Sequence, residues 1–505
     1  MRCIALRWLA AIERVWWLLA ACGTVAFAAN GAAQPQYGGV LRVELRAASV
    51  ALEPARWRPG SADFATSERL AELMFDRLVS LDNYGRFQPQ LATEWTHDAT
   101  AKHWIFTLRA GVKFSDGTAL TPGDVRASLE RLLPRGMQIT ATPSGVSIQC
   151  ANASSDLLEL FASGPYLVYK DEGGVLRGTG PFVLESVSAG ARRTDGGDGA
   201  PAESQRLRFR SNELCWSGRP YLDALEVTLG VPPTRALLDL QLGKTDLAEL
   251  SVETVKRAQL SNLKCWASAP VTLYALHFLG EGKTESGQLL REAIGLAVDR
   301  GAMAGVLLQK QAEPTAAFLP QWLSGYAFLF AADSNLERAK ELRAKLPAGA
   351  VGATEPLRVS VEAGNELSKL VAERIAVNAR AAGFRLETVR GNVRSANGGA
   401  AAKNDGEAEL IAWRYTSLSP AAALENLAAA LGWQLPEGGV PREPDARYAW
   451  EKRVMDKKSL MPLVAVPDFA GMDARVRNWS PAPWGEWRLA DVWLEPAEPA
   501  NERRE

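Results

Sequence analysis

Three histidines, His97, His103 and His277, are the whole imidazole complement of the 505-residue chain, and a hydrolytic or metal centre would have to draw on them. None stands in an HExxH pair and no Cys-x-x-Cys occurs, so the spacings that bring two ligands to one zinc or nickel ion are missing. His103 borders a strand-like run and reads as a half-buried structural residue. Gly243-Lys244-Thr245 and Gly282-Lys283-Thr284 each carry the end of a phosphate-binding loop. The glycine required five positions earlier is Leu238 in the first and His277 in the second, so both read as solvated turns. No G-x-S-x-G elbow presents a serine nucleophile, and scattered carboxylates form no acid/base pair until a fold unites them. The sequence thus points away from an enzyme and calls for no cofactor and no metal.

Charge and composition narrow the class further. The 57 Lys plus Arg residues nearly cancel the 58 Asp plus Glu, which leaves no basic excess for a nucleic-acid partner. Apolar residues make up 47% and charged residues 23%, the balance of a soluble globular body. A chain this long outgrows a single core, so two or three α/β lobes are expected. At the start, Arg2, Arg7 and Arg14 precede an uncharged run from Val15 to Ala29, and Ala26-Phe27-Ala28 offers small residues for cleavage. Residues 1–28 therefore read as an export signal. A competing reading is lipidation at Cys22, because Leu19-Ala20-Ala21-Cys22 has the form of a lipobox. Both lead to the periplasm or cell envelope, with a lipid anchor in the second case. Cys150, Cys215 and Cys265 remain beyond the signal; one disulfide among three pairings and three separate buried thiols both stay open.

The elements that would position any site alternate between strand and helix patterns. Val40–Leu45 alternates as a strand with one strongly apolar face, and residues 68–80 carry Leu70, Leu73, Met74 and Leu78 at helical spacing. Trp104–Leu108 is a second strand, and Asp116-Gly117 marks a turn. Thr121-Pro122 with Asp124 starts a helix whose stripe is Val125, Leu129, Leu132 and Leu133. Ser334 and Glu337 have the spacing of a capping box. Residues 356–390 read as a βαβ unit, with strands 357–361 and 384–389 around a helix over 366–382. Tracts 189–204, 346–356 and 391–408 read as loops, and the tail after Pro496 as frayed.

Motifs in one continuous order then carry a resemblance. FDRLVSLD at 75–82, LATEW at 91–95 and WIFTLRAGVKFSDGTALTPGDVRASLERL at 104–132 are followed by GTGPF at 178–182 and GRPYLD at 218–223. LQLGKTD at 240–246, REAI with AVDR at 291–300 and MPL at 461–463 complete the set. Together they resemble family 5 of the bacterial solute-binding proteins, the receptors for oligopeptides, dipeptides and nickel complexes, over residues 37–495. The resemblance implies a two-lobed periplasmic-binding-protein fold of the α/β class, with a hinge and an additional inserted domain. Lobe I would take residues 37–62, 170–270 and 465–497, the inserted domain 63–169, lobe II 271–464 and a flexible tail 498–505. It also implies a monomer that captures a small solute, a peptide above all, and hands it to the permease subunits of an ABC importer.

One departure bears on the ligand. Many peptide-binding relatives carry a Trp-x-x-Asp-x-x-Asp-Pro segment whose acid pairs with the peptide ammonium; here it is Trp413-Arg414-Tyr415-Thr416-Ser417-Leu418-Ser419-Pro420. Hydroxyls replace the carboxylates, so a buried ammonium would lack its counter-charge. Arg414 would favour an anion if it points into the cleft. Trp413, Arg414, Tyr415 and Ser417 are the expected ligand contacts, with Trp322 and Tyr326 as additions. Alternatives are an exported sensing or chaperone-like binder without an importer, and a receptor for a sugar, an opine-like compound or a metal chelate. An extracytoplasmic hydrolase on the same scaffold has only scattered polar residues behind it.

Overall fold

The computed structural model describes residues 34–496 except 62, 193–202, 281–283, 348, 353–354, 363–364 and 392–406. The export signal, Cys22 and the tail 498–505 lie outside the described residues. One mixed sheet of eleven strands organises the chain. In chain order its strands are β1 (Val40–Glu44), β2 (Phe182–Arg192), β3 (Glu203–Ser211), β4 (Ala224–Thr228), β5 (Leu247–Leu250) and β6 (Lys264–Phe278). They continue as β7 (Glu313–Pro314), β8 (Leu357–Glu362), β9 (Leu386–Gly391), β10 (Ala408–Arg414) and β11 (Leu460–Met472). Their order across the sheet is β2-β3-β4-β1-β5-β11-β6-β10-β8-β9, with β7 paired to β11.

The two long strands tie the halves together. β11 pairs antiparallel with β5 over Leu247↔Met472 to Leu250↔Phe469. It pairs with β6 along nearly its whole length, but the register shifts on both sides of Pro270, between Ala267 and Pro270 and between Pro270 and Thr272, and once more between Tyr274 and Ala275. Pro270 has no N–H for the ladder. The regular sheet is therefore interrupted at the place where the chain passes from one half to the other. Such a break is where a few residues can absorb a change of angle.

Burial follows the expected faces. Leu41, Val43 and Leu45 are buried as the alternation requires, in one cluster with Phe182, Phe209, Leu225 and Trp487. A second antiparallel sheet, Ala92–His97, His103–Leu108, Gly145–Cys150 and Met137–Thr142, packs Trp104, Phe106 and Ile148 against Val125 and Leu129. The helix carrying Val125 begins with a complete capping box between Thr121 and Asp124, and Pro122 occupies its first position. The βαβ unit forms from Leu357–Glu362, Glu366–Ala381 and Leu386–Gly391 with the two strands parallel.

Three local expectations are corrected. The helix expected over 68–80 is Phe64–Ala71, and Val79–Leu81 is a strand. The chain leaves the helix because Leu73 and Met74 turn their carbonyls to Phe182 N (2.8 Å) and Gly180 N (2.9 Å). The glycines of GTGPF make this approach feasible: a methyl on Gly178 would sit 1.9 Å from the Met74 carbonyl oxygen. The cap of the helix Leu336–Lys345 is Asn335, whose Oδ1 accepts from Arg338 N, one residue after the expected Ser334. β2 and β3 also extend to Arg192 and from Glu203, into the tract expected to be a loop. Cys150, Cys215 and Cys265 are free thiols, so of the two open readings the unpaired one holds.

Candidate functional site

β10 ends on Trp413 and Arg414, and a short turn then leads to the helix Pro420–Ala430, capped by Ser419, whose Oγ accepts from Ala422 N. Successive strand residues face opposite sides, so Trp413 and Arg414 serve different surroundings. Trp413 is 5% exposed and joins Phe318, Leu424 and Leu460 in a buried cluster. Its ring lies against Gly60, where a methyl would stand 2.1 Å from Cζ3, and Gly60 has a φ of +82° that itself favours glycine. Trp413 Nε1 is buried with no hydrogen-bond partner among the described residues. Gly60 belongs to the segment that wraps a cavity of ≈ 370 Å³, lined by Trp57, Arg58, Ser61, Asp63, Phe64 and Ser67 among others.

Arg414 turns instead toward the hinge. Its Nη1 donates to Asp468 Oδ2 at 2.6 Å, and Asp468 N accepts its place on β11 by donating to Ser268 Oγ at 2.8 Å. Arg69, 5% exposed, pairs with the same Asp468 oxygen and donates from Nε to the Gly485 carbonyl at 3.1 Å. Burial pushes the Asp468 carboxyl up, but Arg414 and Arg69 prevail and hold it below its ordinary value. Glu249 behaves alike: burial opposes its charge, while Arg46 and Arg69 keep it ionised.

The other expected contacts are held elsewhere. Tyr415 donates its hydroxyl to the Phe318 carbonyl at 3.0 Å and is 8% exposed. Ser417 Oγ lies 3.5 Å from Ser163 Oγ and accepts from Ser419 N. Thr416 and Ser419, the hydroxyls in the acidic positions of the peptide-binding pattern, are both engaged. Asn426 Nδ2 donates to Thr416 Oγ1 at 2.9 Å, and Ser419 Oγ donates to Asp156, which also takes Arg442 Nη1 at 3.0 Å. Trp322 donates from Nε1 to the Pro270 carbonyl at 2.8 Å, on the irregular stretch of β6. Tyr326 points to the helix Pro444–Met455, where its hydroxyl donates to Glu451 Oε2 at 2.9 Å.

The structure thus brings Trp413, Arg414 and Trp322 to the junction of the halves, whereas Tyr415, Ser417 and Tyr326 bond to neighbouring parts of the scaffold. Spacing gave no hint of Gly60, Arg69, Arg46 or Asp468: Arg69 and Asp468 are 399 residues apart and meet only in the fold. His277 pairs through Nδ1 with the buried Glu409 on the adjacent strand, 2.9 Å away. Among the described residues no three His, Cys, Asp or Glu side chains come together as a metal-binding group. The quoted motifs build scaffold. Asp76, for one, accepts from Thr179 Oγ1 (2.7 Å), Trp216 Nε1 (2.8 Å) and Gln90 Nε2 (2.9 Å), which ties its own motif to GTGPF and to the residues just before GRPYLD and LATEW.

Two α/β halves sharing two long strands, with an additional small sheet, define a two-lobed α/β fold. Residues 86–434 match the model of the bacterial extracellular solute-binding proteins, family 5, and the chain belongs to that family. It is 24% identical over 263 residues to a probable D,D-dipeptide-binding periplasmic protein of Escherichia coli, covering 47% of this chain and 48% of that one. The nickel-binding periplasmic protein of the same organism is 24% identical over 355 residues, covering 62% of this chain and 64% of that one. The chain therefore spans about half to two thirds of the length of these curated relatives. The fold is similar along nearly its full length to the oligopeptide-binding protein AppA of Bacillus subtilis in complex with a nonapeptide, with a TM-score of 0.72, 14% identity and coverage of 92% and 100%. NikA of Staphylococcus aureus in complex with Ni(L-His)2 gives 0.70, 17%, 90% and 100%.

Proposed function

We propose that this chain is the extracytoplasmic substrate-binding receptor of an ABC importer, which captures a peptide or a solute of similar size between its two lobes and catalyses nothing. The match of residues 86–434 to the family carries the reading. The hinge supports it: β6 and β11 run through both halves and lose register together near Pro270. Trp413 of the second half rests against Gly60 of the first, and Arg414 shares Asp468 with Arg69, so these contacts link the two halves beside the hinge. A closed, filled receptor is then the form that permease subunits distinguish from an empty one. We further propose that the ligand-facing set centres on Trp413, with Trp322 setting the hinge from behind.

Mass spectrometry of solutes released by denaturing the purified protein tests the role. A bound peptide or other small solute is expected, together with a rise in Tm on adding it back. Turnover of the bound solute would overturn the receptor reading.

A further inference from the structure

Charges at the hinge bear on which group of the solute is anchored there. Five side chains form a chain of ion pairs from one half to the other. Arg46 Nε lies 3.6 Å from Glu249 Oε2, Glu249 Oε1 lies 3.5 Å from Arg69 Nη1, and Arg69 pairs with Asp468, whose Oδ2 also takes Arg414 Nη1 at 2.6 Å. The signs alternate and both ends are cationic, so three guanidiniums meet two carboxylates. The four inner side chains, Arg69, Glu249, Asp468 and Arg414, are only 4%, 8%, 13% and 13% exposed and balance one another, so the surplus positive charge falls on Arg46 at the open end. An arriving anion would complete the alternation by meeting the one guanidinium left over.

Hydrogen bonding gives an independent reason of the same sign. Arg414 Nε and Trp487 Nε1 are buried without partners among the described residues. Trp487 is 3% exposed, and the Arg69 guanidinium stacks on its ring at 4.9 Å. Both orphaned atoms are donors, so a ligand that satisfies them must bring acceptors. The Arg46 side chain, 53% exposed, keeps one end of the chain open to solvent. It follows the carboxyl end of β1, a parallel strand, where α/β sheets take their ligands.

From the excess of guanidinium and the orphaned donors we infer that the solute carries an oxyanion, a carboxylate if it is a peptide, and docks that group on the Arg46–Arg69–Arg414 chain. The hinge then anchors a negative end of the ligand. Thr416 and Ser419, already engaged with Asn426 and Asp156, supply no charge for a cationic one. This inference rests on the receptor reading above.

Native mass spectrometry of the full chain tests it with two probe pools, an enzymatic casein hydrolysate and the same hydrolysate with its carboxylates converted to amides. Retention from the untreated pool alone is expected. Arg46→Gln should weaken that retention by about tenfold and Arg46→Lys by less, since a bidentate pairing is lost but the charge is kept. Arg414→Gln, compared at matched folded fraction, should weaken it at least as much. Equal retention from the amidated pool, or undiminished retention by Arg46→Gln, would overturn the inference and leave the receptor standing. Retention from neither pool would remove the peptide-receptor reading and this inference with it.

Discussion

Trp413 rests its six-membered ring directly on the α-carbon of Gly60, so a residue of the second half is seated on a loop of the first. Gly60→Ala would place a methyl 2.1 Å from Cζ3 and strain a φ of +82°. The variant should lose about 1–2 kcal/mol of stability, read from urea midpoints, and should retain solute less tightly. Trp413→Ala should cost about 3–5 kcal/mol through the cavity it leaves. Wild-type retention in both variants would show that this contact is packing alone.

Asp76 is the knot of the motif blocks. Burial raises its pKa, and the bonds from Thr179, Trp216 and Gln90 oppose that rise. Asp76→Ala strands three donors and should cost about 3 kcal/mol or more, whereas Asp76→Asn, which keeps one acceptor oxygen, should cost clearly less. Chemical denaturation of both variants checks the order; equal losses would contradict the hydrogen-bond account.

Glu451 gives the fold a pH dependence of predictable sign. Burial raises its pKa from 4.5 to about 7, against the bonds from Phe318 N and Tyr326 and the nearby charge of Arg447. Between about pH 4.5 and 7 the folded protein keeps a proton that the unfolded chain has released. The Glu451 contribution therefore falls as pH rises through that window, by about 3 kcal/mol in all. Urea midpoints at pH 5 and pH 7.5 should show this loss in the wild type and a smaller one in Glu451→Gln. Parallel pH profiles for the two proteins would rule Glu451 out as the source.

The thiols should be quiet. Burial pushes Cys150, Cys215 and Cys265 up in pKa, so little thiolate forms at neutral pH. Alkylation followed by peptide mapping should label Cys150 and Cys215 only after unfolding, with half-buried Cys265 reacting first in the native protein. Rapid labelling of Cys150 in the folded state would contradict its placement.

How far the sequence led depends on the range over which each signal acts. The capping box at Thr121 and the βαβ unit at 357–391 are decided by neighbours within a few residues, and they were legible. The helix expected over 68–80 failed because its last turns bond to Gly180 and Phe182, more than a hundred residues on. Trp413 and Arg414 could be chosen from the residue types of one segment. Their partners could not, since Gly60 and Asp468 become neighbours only when the two halves assemble. Tyr326 shows the converse: an aromatic near the expected cleft whose hydroxyl is taken by Glu451, a residue that no local pattern links to it.

The position of β11 in the sheet also has a temporal meaning. β2-β3-β4-β1-β5 and β6-β10-β8-β9 are two sets of strands, and β11 is the strand between them. It comprises Leu460–Met472 and is made after every other strand of that sheet. Until it arrives, β5 has β1 on one side and an unpaired edge on the other, and so does the β6 edge that β11 will cover. Ladders closed over such long sequence separations form slowly. The two halves can gather their own strands early, but the joined sheet must wait for β11. A chain cut before residue 460 would carry two open sheet edges and a tendency to aggregate.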